Sequence, residues 1–240
     1  MRRFFAENID TASDRVVLTG DEARHIGAVL RMRPGDEVLL INGEGTECIA
    51  EISSFTDSTV ELLIKNRRVC SAEPNVKVTL FQCLPKQGKM ELIIQKCVEL
   101  GVDRIVPTVS SRCVVKIDGK ENKLVRWNKV SQEAAKQCGR ASVPEVTAPV
   151  QLDKADLSGY GLVLIPYENE NETTLKSVLR NNEDTESIAV IIGPEGGFEP
   201  KEVESVLARS GRAVSLGRRI LRTETAGMAC IAQIMYELES

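Results

Sequence analysis

Ile188-Ala-Val-Ile-Ile192 runs directly into Gly193-Pro-Glu-Gly-Gly-Phe198, and this junction decides how the chain folds. The first five residues form a continuous apolar run, which is typical of a strand buried on both faces of a parallel sheet. The glycines that follow have no Cβ atom, so the backbone of this loop can approach a ligand closely. Because ligands of open α/β sheets bind beyond the carboxyl ends of the strands, the junction predicts a binding loop. A tight strand-to-helix turn without a ligand is the alternative.

A second loop lies downstream, in Ser215-Leu-Gly-Arg-Arg-Ile-Leu-Arg-Thr-Glu-Thr-Ala226. A predicted strand ends near Leu216, and a helix begins near Thr223, which is a plausible N-cap residue. Two large apolar residues, Ile220 and Leu221, interrupt the arginines of the loop between them. Apolar side chains in so basic a loop indicate a cleft that encloses something flat and apolar, such as an adenine ring.

Outward from these loops, residues from 76 onward alternate between apolar runs and helical patterns. The predicted strands are Val76–Leu84, Arg104–Val109, Gly161–Pro166, Ile188–Ile192 and Ala213–Leu216. The predicted helices are Lys89–Leu100, Lys123–Cys138, Thr174–Arg180, Pro200–Ala208 and Thr223–Leu238. This alternation predicts a mostly parallel α/β sheet.

The first part of the chain has a different pattern, which changes at Pro74. Short runs rich in Val, Ile and Leu predict strands, separated by Gly/Pro turns; they are Arg15–Leu18, Glu37–Ile41, Cys48–Ile52 and Val60–Ile64. A helix is predicted over Asp21–Met32. We therefore expect two domains, a small barrel-like β domain over residues 1–72 and an α/β domain over residues 73–240.

The composition excludes several common classes of protein. The 240 residues carry a net charge of −4 and are 42% hydrophobic, as in an ordinary globular protein. The seven cysteines include no Cys-x-x-Cys pair, and a single histidine, His25, rules out a three-histidine zinc site, so we expect no metal. P-loop and Rossmann glycine patterns are absent from the sequence. Without a bilayer-length apolar run or a signal-peptide pattern, we expect a cytoplasmic protein with no membrane partner.

Charge is unevenly distributed along the chain. Residues 104–140 carry nine basic and three acidic side chains, whereas residues 163–210 carry ten acidic and four basic ones. A polyanion such as RNA needs only a basic face, not a basic protein. Solvated helices rich in lysine are the alternative explanation.

Together the two loops resemble the SPOUT class of RNA methyltransferases, and the longer motifs resemble its RsmE family. Those motifs are Arg2-Arg-Phe-Phe5, His25-Ile-Gly-Ala-Val-Leu-Arg31, Leu84-Pro-Lys-Gln-Gly-Lys-Met90, Gln95-Lys-Cys-Val-Glu-Leu-Gly-Val102, Arg112-Cys-Val-Val-Lys116, Glu133-Ala-Ala-Lys-Gln-Cys-Gly-Arg140, Gly193-Pro-Glu-Gly-Gly-Phe198 and Leu216-Gly-Arg-Arg-Ile-Leu-Arg-Thr-Glu-Thr-Ala226. The resemblance covers nearly the whole chain. Ser110-Ser111 and Cys138 depart from the family pattern.

The resemblance implies a PUA-like β-barrel followed by an α/β domain with a trefoil knot, working as a homodimer. It also implies methylation of N3 of a uridine in the decoding region of 16S ribosomal RNA, with the assembled 30S subunit as partner and S-adenosylmethionine as cofactor. The cofactor-binding residues that it implies are Leu164, Ile192, Gly193, Pro194, Glu195, Gly196, Gly197, Leu216, Gly217, Ile220, Leu221 and Thr223.

Two residues are candidates for catalysis, since uridine N3 holds its proton at neutral pH. Arg222 adjoins the cofactor loop and stays charged, so we expect it to stabilise the anion that forms when the proton leaves. Glu224 either accepts the proton or serves the first turn of its helix. Glu99 and Glu133 are weaker candidates.

A set of basic side chains is predicted to contact RNA phosphates or the target base. The set comprises Arg2, Arg3, His25, Arg31, Lys86, Lys89, Arg112, Lys116, Arg126 and Arg140. Surface salt bridges are the alternative for the group, and a buried or capping role is the alternative for His25.

Two other functions remain open on the residues alone. One is a SPOUT methyltransferase with a different RNA target. The other is a non-catalytic RNA-binding protein of ribosome assembly, which has no need of an intact cofactor cleft. Binding of the cofactor separates the enzyme from the binder, and the identity of the methylated atom separates the two enzymes.

Overall fold

A computed structural model describes residues 1–6, 9, 13–86, 88–114 and 120–239. Its contacts divide the chain into two compact units. The first comprises Met1–Glu73 with Ala135–Val143, and the second comprises Pro74–Ala134 with Pro144–Ser240. The return of Ala135–Val143 to the first unit differs from the sequence prediction, which assigned that stretch to the α/β domain.

The first unit is built on a five-stranded sheet in the order β1-β3-β4-β5-β2. Its strands are β1 (Arg2–Phe5), β2 (Arg15–Thr19), β3 (Glu37–Ile41), β4 (Thr46–Phe55) and β5 (Thr59–Val69). Only β1 and β3 pair in parallel; the other neighbours are antiparallel. The four strands predicted in this part are confirmed, and β1 is an addition. Side chains alternate in β2 between buried and exposed, as expected for a sheet with one face on a core.

The helix predicted over Asp21–Met32 is shorter and less regular than expected. A five-residue α-helix, α1 (Gly20–Arg24), continues into a π-helical turn over His25–Val29. Ile26 of this turn is fully buried in the core of the sheet. Arg31 just beyond it has a φ of 51°, a left-handed conformation that stops the helix before Met32.

The Glu73 carboxylate makes several of the contacts that fasten the segment 135–143 to the first unit. Glu73 accepts hydrogen bonds from the backbone N–H groups of Ala141 and Ser142, at 2.8 and 2.7 Å. It also accepts two from the Arg140 guanidinium. The contacts explain why this segment leaves the α/β pattern, because bonds to a carboxylate are strong where water is excluded.

The second unit is built on a parallel seven-stranded sheet in the order β12-β10-β11-β6-β7-β8, with β9 also paired to β7. The strands are β6 (Lys77–Cys83), β7 (Arg104–Val109), β8 (Glu145–Val146), β9 (Val150–Gln151), β10 (Leu162–Pro166), β11 (Ser187–Ile192) and β12 (Gly211–Val214). The predicted parallel α/β sheet is confirmed. The two-residue strands β8 and β9 are additions, and β12 starts and ends two residues earlier than predicted.

Among the described residues, four helices connect strands of this sheet and a fifth follows its last strand, and all five were predicted to within about three residues. They are α2 (Lys89–Glu99), α3 (Lys120–Cys138), α4 (Leu175–Arg180), α5 (Pro200–Leu207) and α6 (Thr223–Leu238). Local signals fix their starts: the Thr174 hydroxyl caps α4, and Glu199 with Glu202 forms a capping box before Pro200 in α5. Trp127 of α3 is buried, as expected of a core residue.

Among the helices of the described chain, none has the length and apolar character needed to cross a membrane. The trefoil knot implied by the family resemblance stays a prediction.

Candidate functional site

A cavity of about 700 Å³ lies at the carboxyl ends of three neighbouring strands of the second unit. The loops after β10, β11 and β12 form most of its wall. The lining residues are Lys89, Pro166, Tyr167, Glu168, Glu170, Asn171, Ile192 to Phe198, Ser215 to Thr223 and Ala226. Its size lies in the range of pockets that enclose a cofactor-sized ligand.

We define the glycine loop as residues 193–199, which follow β11. A Cβ atom on Gly193 would lie 3.0 Å from the Phe198 ring. Gly197 has a φ of +68°, and a Cβ atom there would lie 2.5 Å from a carboxylate oxygen of Glu168. The loop therefore favours glycine at position 193 for space and at position 197 for its backbone conformation.

Neighbouring loops hold the glycine loop by side-chain hydrogen bonds. Glu195 accepts one from the Lys86 backbone N–H, at 2.9 Å. Arg112 donates one from its guanidinium to the Gly196 carbonyl, also at 2.9 Å. Beyond the loop, Glu202 accepts from both the N–H and the hydroxyl of Ser111. The wall of the cavity on this side is thus ordered before any ligand binds.

We define the arginine loop as residues 216–222, which follow β12. Its residues 217–220 and Arg222 are exposed, Ile220 to 81%. Within the described residues, the side chains of Arg218 and Arg219 make neither an ion pair nor a hydrogen bond. Exposed apolar surface and unpaired cations on one loop indicate that a bound molecule, rather than the rest of this loop, supplies their contacts.

A buried polar chain joins the two loops beneath the cavity. The Thr223 hydroxyl donates to the Gly193 carbonyl at 2.6 Å, and it accepts from the Gln82 amide nitrogen at 2.9 Å. Gln82 lies in β6 and is fully buried. Sequence analysis missed Gln82; the signal for it was an amide side chain inside the predicted buried strand Val76–Leu84.

Glu224 is paired with a cation rather than free. Its carboxylate lies 3.0 Å from the ammonium of Lys89, the first residue of α2. A hydrogen bond from its own backbone N–H, together with Lys89, holds the pKa of Glu224 below its usual value, although burial opposes the shift. A carboxylate with a lowered pKa is a weaker proton acceptor, so the geometry favours the structural alternative for Glu224.

Two cysteines meet beside the loop that supports Gly196. Cys83 ends β6, and Cys113 packs against it while accepting from the N–H of Ser110 at 3.4 Å. The hydrogen bond from Cys83, with those from Ser110, lowers the pKa of Cys113 to about 6 despite burial. The same contact raises the pKa of Cys83 well above its usual value. A lowered pKa increases the share of thiolate, which is the form of cysteine that reacts.

The structure brings eleven of the twelve predicted cofactor residues to the cavity wall. Leu164 is the exception, because it is fully buried two residues before the end of β10, where Pro166 lines the cavity instead. The family resemblance also implies a cofactor loop at the end of the strand over 162–166, but sequence analysis did not single out Glu168, Glu170 and Asn171, which line the cavity there. Of the two predicted catalytic residues, Arg222 lines it as well.

The predicted RNA-contacting residues fall into distinct environments. Arg140 is 4% exposed and bound to Glu73, so the prediction of an RNA contact there is wrong; the carboxylate fixes this guanidinium inside the first unit. Arg3 is half-buried, 3.9 Å from the buried Glu47 and against Gly139, which also favours a structural role. Lys116 lies outside the described residues.

The other members of that set remain accessible or belong to the cavity. Arg2, His25 and Arg31 of the first unit are exposed, and the His25 ring contacts the edge of Phe4. In the second unit Lys86 and Arg112 are exposed beside the glycine loop, and Arg126 pairs with Glu91 at 3.2 Å. Lys89 lines the cavity itself.

The described residues contain no group of three His, Cys, Asp or Glu side chains able to hold a metal ion. The site's chemistry, as far as these residues show it, rests on glycine backbone, apolar side chains, carboxylates and four cations. The cations are Lys89, Arg218, Arg219 and Arg222.

Comparison with known proteins gives a consistent result. A family model described as an RNA methyltransferase domain matches residues 72–235, and one described as an RNA methyltransferase PUA domain matches residues 18–65. The chain is 32% identical to the ribosomal RNA small subunit methyltransferase E of Bacillus subtilis, over 100% of this chain and 98% of that protein.

Two solved structures share the fold over almost their full length. One is the ribosomal RNA small subunit methyltransferase E of Neisseria gonorrhoeae bound to S-adenosyl methionine, with a TM-score of 0.85, 31% identity, and 98% and 97% of the two chains covered. The other is a methyltransferase of Legionella pneumophila in complex with the same cofactor, with a TM-score of 0.82, 32% identity, and 98% and 96% covered.

Proposed function

The chain belongs to the ribosomal RNA small subunit methyltransferase E family, and from that membership we propose that it methylates N3 of a uridine in the decoding region of 16S ribosomal RNA. It is an S-adenosylmethionine-dependent methyltransferase of small-subunit ribosomal RNA. The single observation that carries the finer proposal is the placement of two cations, Lys89 and Arg222, on the wall of a cavity of cofactor size.

The residues of the cavity fit S-adenosylmethionine. Ile192, Ile220 and Leu221 offer apolar surface for an adenine ring, and Gly193 and Gly197 have no Cβ atom to keep a ligand away from their backbone. Glu168 offers a carboxylate for a positively charged group. The cofactor supplies an electrophilic methyl group on a sulfonium, which leaves the protein the tasks of positioning and charge stabilisation.

Removal of the N3 proton places negative charge on the uracil ring. Arg222 is a cation on the cavity wall, and its guanidinium stabilises that charge by electrostatic attraction. Lys89 adds a second cation on the opposite helix start, where the Glu224 carboxylate holds its ammonium in place. In this proposal Glu224 acts through Lys89 and is a positioning residue.

The proposed RNA surface uses the exposed basic residues of each unit. Arg2, His25 and Arg31 serve in the first unit, and Lys86, Arg112 and Arg126 in the second. Contacts of this kind fix position on the phosphate backbone rather than sequence. A target made of several RNA strands favours the assembled 30S subunit as substrate, and a ribosomal substrate places the reaction in the cytoplasm. We include the homodimer and the trefoil knot in the same proposal.

The test is methyl transfer from labelled S-adenosylmethionine to 30S subunits that lack the modification, with the product nucleoside identified by mass spectrometry. Naked 16S ribosomal RNA is the parallel substrate. The proposal expects N3-methyluridine, formed faster on the 30S subunit. A different methylated atom would keep the enzyme class and overturn the target. No transfer, together with no cofactor binding by calorimetry, would leave a non-catalytic RNA-binding protein.

A further inference from the structure

We propose that Gln82 is a positioning residue for the cofactor cleft, which acts by fixing the Thr223 hydroxyl against the Gly193 carbonyl. The inference rests on the proposed function, because it concerns how tightly the same site holds S-adenosylmethionine. Gln82 lies beneath the cavity wall, whereas Thr223 and Gly193 belong to it.

The contacts form one directed chain. Gln82 donates through its amide nitrogen to the Thr223 hydroxyl oxygen at 2.9 Å and to the Cys83 carbonyl at 3.1 Å. With that lone pair occupied, the Thr223 hydroxyl proton points to the Gly193 carbonyl, 2.6 Å away. Thr223 begins α6 and Gly193 follows β11, so this chain sets the distance between the two loops at the point where they meet.

The amide oxygen of Gln82 argues that the residue serves more than stability. This oxygen is buried and accepts no hydrogen bond from the described residues. It also crowds α6, since a Cβ atom on Gly227 would lie 3.0 Å from it. A buried carbonyl without a donor destabilises a protein, and an apolar side chain of similar shape removes that cost. A side chain retained only for stability would therefore not be a glutamine at this position.

The inference separates cofactor affinity from the stability of the fold, which a change at a purely structural residue would lower together. Gln82→Met keeps the length of the side chain and removes both its donor and its unsatisfied oxygen. Thr223 keeps Gly193 as its acceptor in the variant, so no new buried donor is left unpaired. What is lost is the donor to the Cys83 carbonyl and the constraint on the direction of the Thr223 hydroxyl.

The experiment compares Gln82→Met with the matched control Gln95→Met, which makes the same change at an exposed position of α2. Calorimetry with S-adenosylmethionine and with S-adenosylhomocysteine measures affinity without turnover, and urea unfolding measures stability. For Gln82→Met we expect both ligands to bind about tenfold more weakly, as for one lost hydrogen bond. We expect the urea midpoint to be unchanged or higher, and kcat at saturating cofactor to stay within about twofold. Gln95→Met should match the wild type.

Two further variants test the route through the hydroxyl. Thr223→Ser keeps the hydroxyl and should retain most of the affinity, whereas Thr223→Val should weaken binding about as much as Gln82→Met. The double variant Gln82→Met, Thr223→Val should be no weaker than either single change, because both break one chain.

The outcomes separate the inference from the proposed function. If the wild type binds both ligands and Gln82→Met binds them with the same affinity, the inference is overturned and the proposed methyltransferase function stands. A lower urea midpoint that accompanies the loss of affinity also overturns it, since it reveals a structural residue. A wild type that binds neither ligand overturns both.

Discussion

The glycine loop and the arginine loop face each other across one cavity, yet they are built in opposite ways. The glycine loop is held from behind by bonds to Lys86, Arg112 and Thr223. The arginine loop exposes Ile220 and offers cations that have no partner in the described chain. One wall is therefore ordered in advance, and the other is poised to gain contacts.

The difference teaches how the work of the site is divided. A preordered wall costs no ordering entropy when a ligand binds, which suits a cofactor that must be held in one geometry. An unpaired basic wall suits a polyanionic substrate that arrives with its own charges. The division predicts that changes in the glycine loop act on cofactor affinity, whereas changes to the arginines of the arginine loop act on turnover and RNA. The apolar residues Ile220 and Leu221 of the arginine loop serve the cofactor.

The largest effect is expected from Arg222→Ala. Loss of a cation that stabilises charge in the transition state lowers kcat by roughly 100- to 1000-fold. Cofactor affinity, measured by calorimetry, should change less than about threefold because the backbone of the loop is unaltered. Arg222→Lys should recover part of the turnover, since it restores charge without the planar guanidinium. Equal losses in kcat and in cofactor affinity would make Arg222 a cofactor ligand and contradict the division of roles between the two loops.

Lys89→Gln extends the same test to the opposite wall. Turnover should fall about tenfold, in line with a supporting charge rather than the main one. Lys96→Gln is the matched control, because Lys96 lies on the same helix and pairs with Glu99 away from the cavity. Similar losses in both variants would assign the effect to the helix instead.

Gly197→Ala should have the next largest effect, this time on binding. The methyl group adds strain at a left-handed φ of +68°, which costs about 1 kcal/mol, or a roughly fivefold weaker affinity for the cofactor. Gly196→Ala is the adjacent control, since its Cβ atom would meet Arg112 only at an ordinary 3.4 Å. Equal cofactor affinities in the two variants would refute the idea that the glycine loop is rigid.

Limited trypsin digestion tests the arginine loop directly, without any substitution. Cleavage after Arg218 and Arg219 should slow roughly tenfold at a cofactor concentration of about ten times Kd, because binding lowers the population of the open loop. Arg31, exposed in the first unit, is the internal control and should be cut at an unchanged rate. Rapid cleavage of the arginine loop with cofactor present would mean that the loop gains no contacts on binding.

The smallest effect on activity is expected at Cys113, in the support of the glycine loop. Because its pKa is lowered to about 6, its alkylation by iodoacetamide should be half-maximal near pH 6 and level by pH 8. An ordinary thiol still gains reactivity over that range. Cys113→Ser should abolish the fast label and change methyl transfer less than about twofold. A rate that continues to rise tenfold per pH unit above pH 7 would contradict the lowered pKa.

Sequence periodicity was sufficient for the main elements of the sheet and for both loops. Helix α6 and strand β7 begin and end where predicted, because Thr223 and the apolar run Arg104–Val109 are unambiguous local signals. The same reasoning could not find β8 and β9, since two-residue strands have no period. It could not place the turn at His25–Val29 either, because a π-helical turn depends on packing around Ile26.

Charge was the least predictable property of the chain. A run of basic residues looks uniform in sequence, yet Arg140 is buried on Glu73 and Lys89 lies in the cavity, while Arg2 is exposed. Their partners are distant in the sequence, so only the fold reveals them. Gln82 was missed for the same reason, as its partner Thr223 lies 141 residues away.

The contacts of Glu73 determine when the first unit can finish folding during synthesis. The donors to its carboxylate oxygens are Arg140, Ala141 and Ser142, which leave the ribosome long after the strands of the first unit. At about 5–20 residues per second, the 70 residues between positions 73 and 143 delay completion by roughly 4–14 s. For that interval the nascent chain carries an unfinished first unit while much of the second is still being made. Translation speed through codons 74–143 is therefore a parameter of folding for this protein, and pauses there prolong exposure of a carboxylate that the finished fold never leaves unbound.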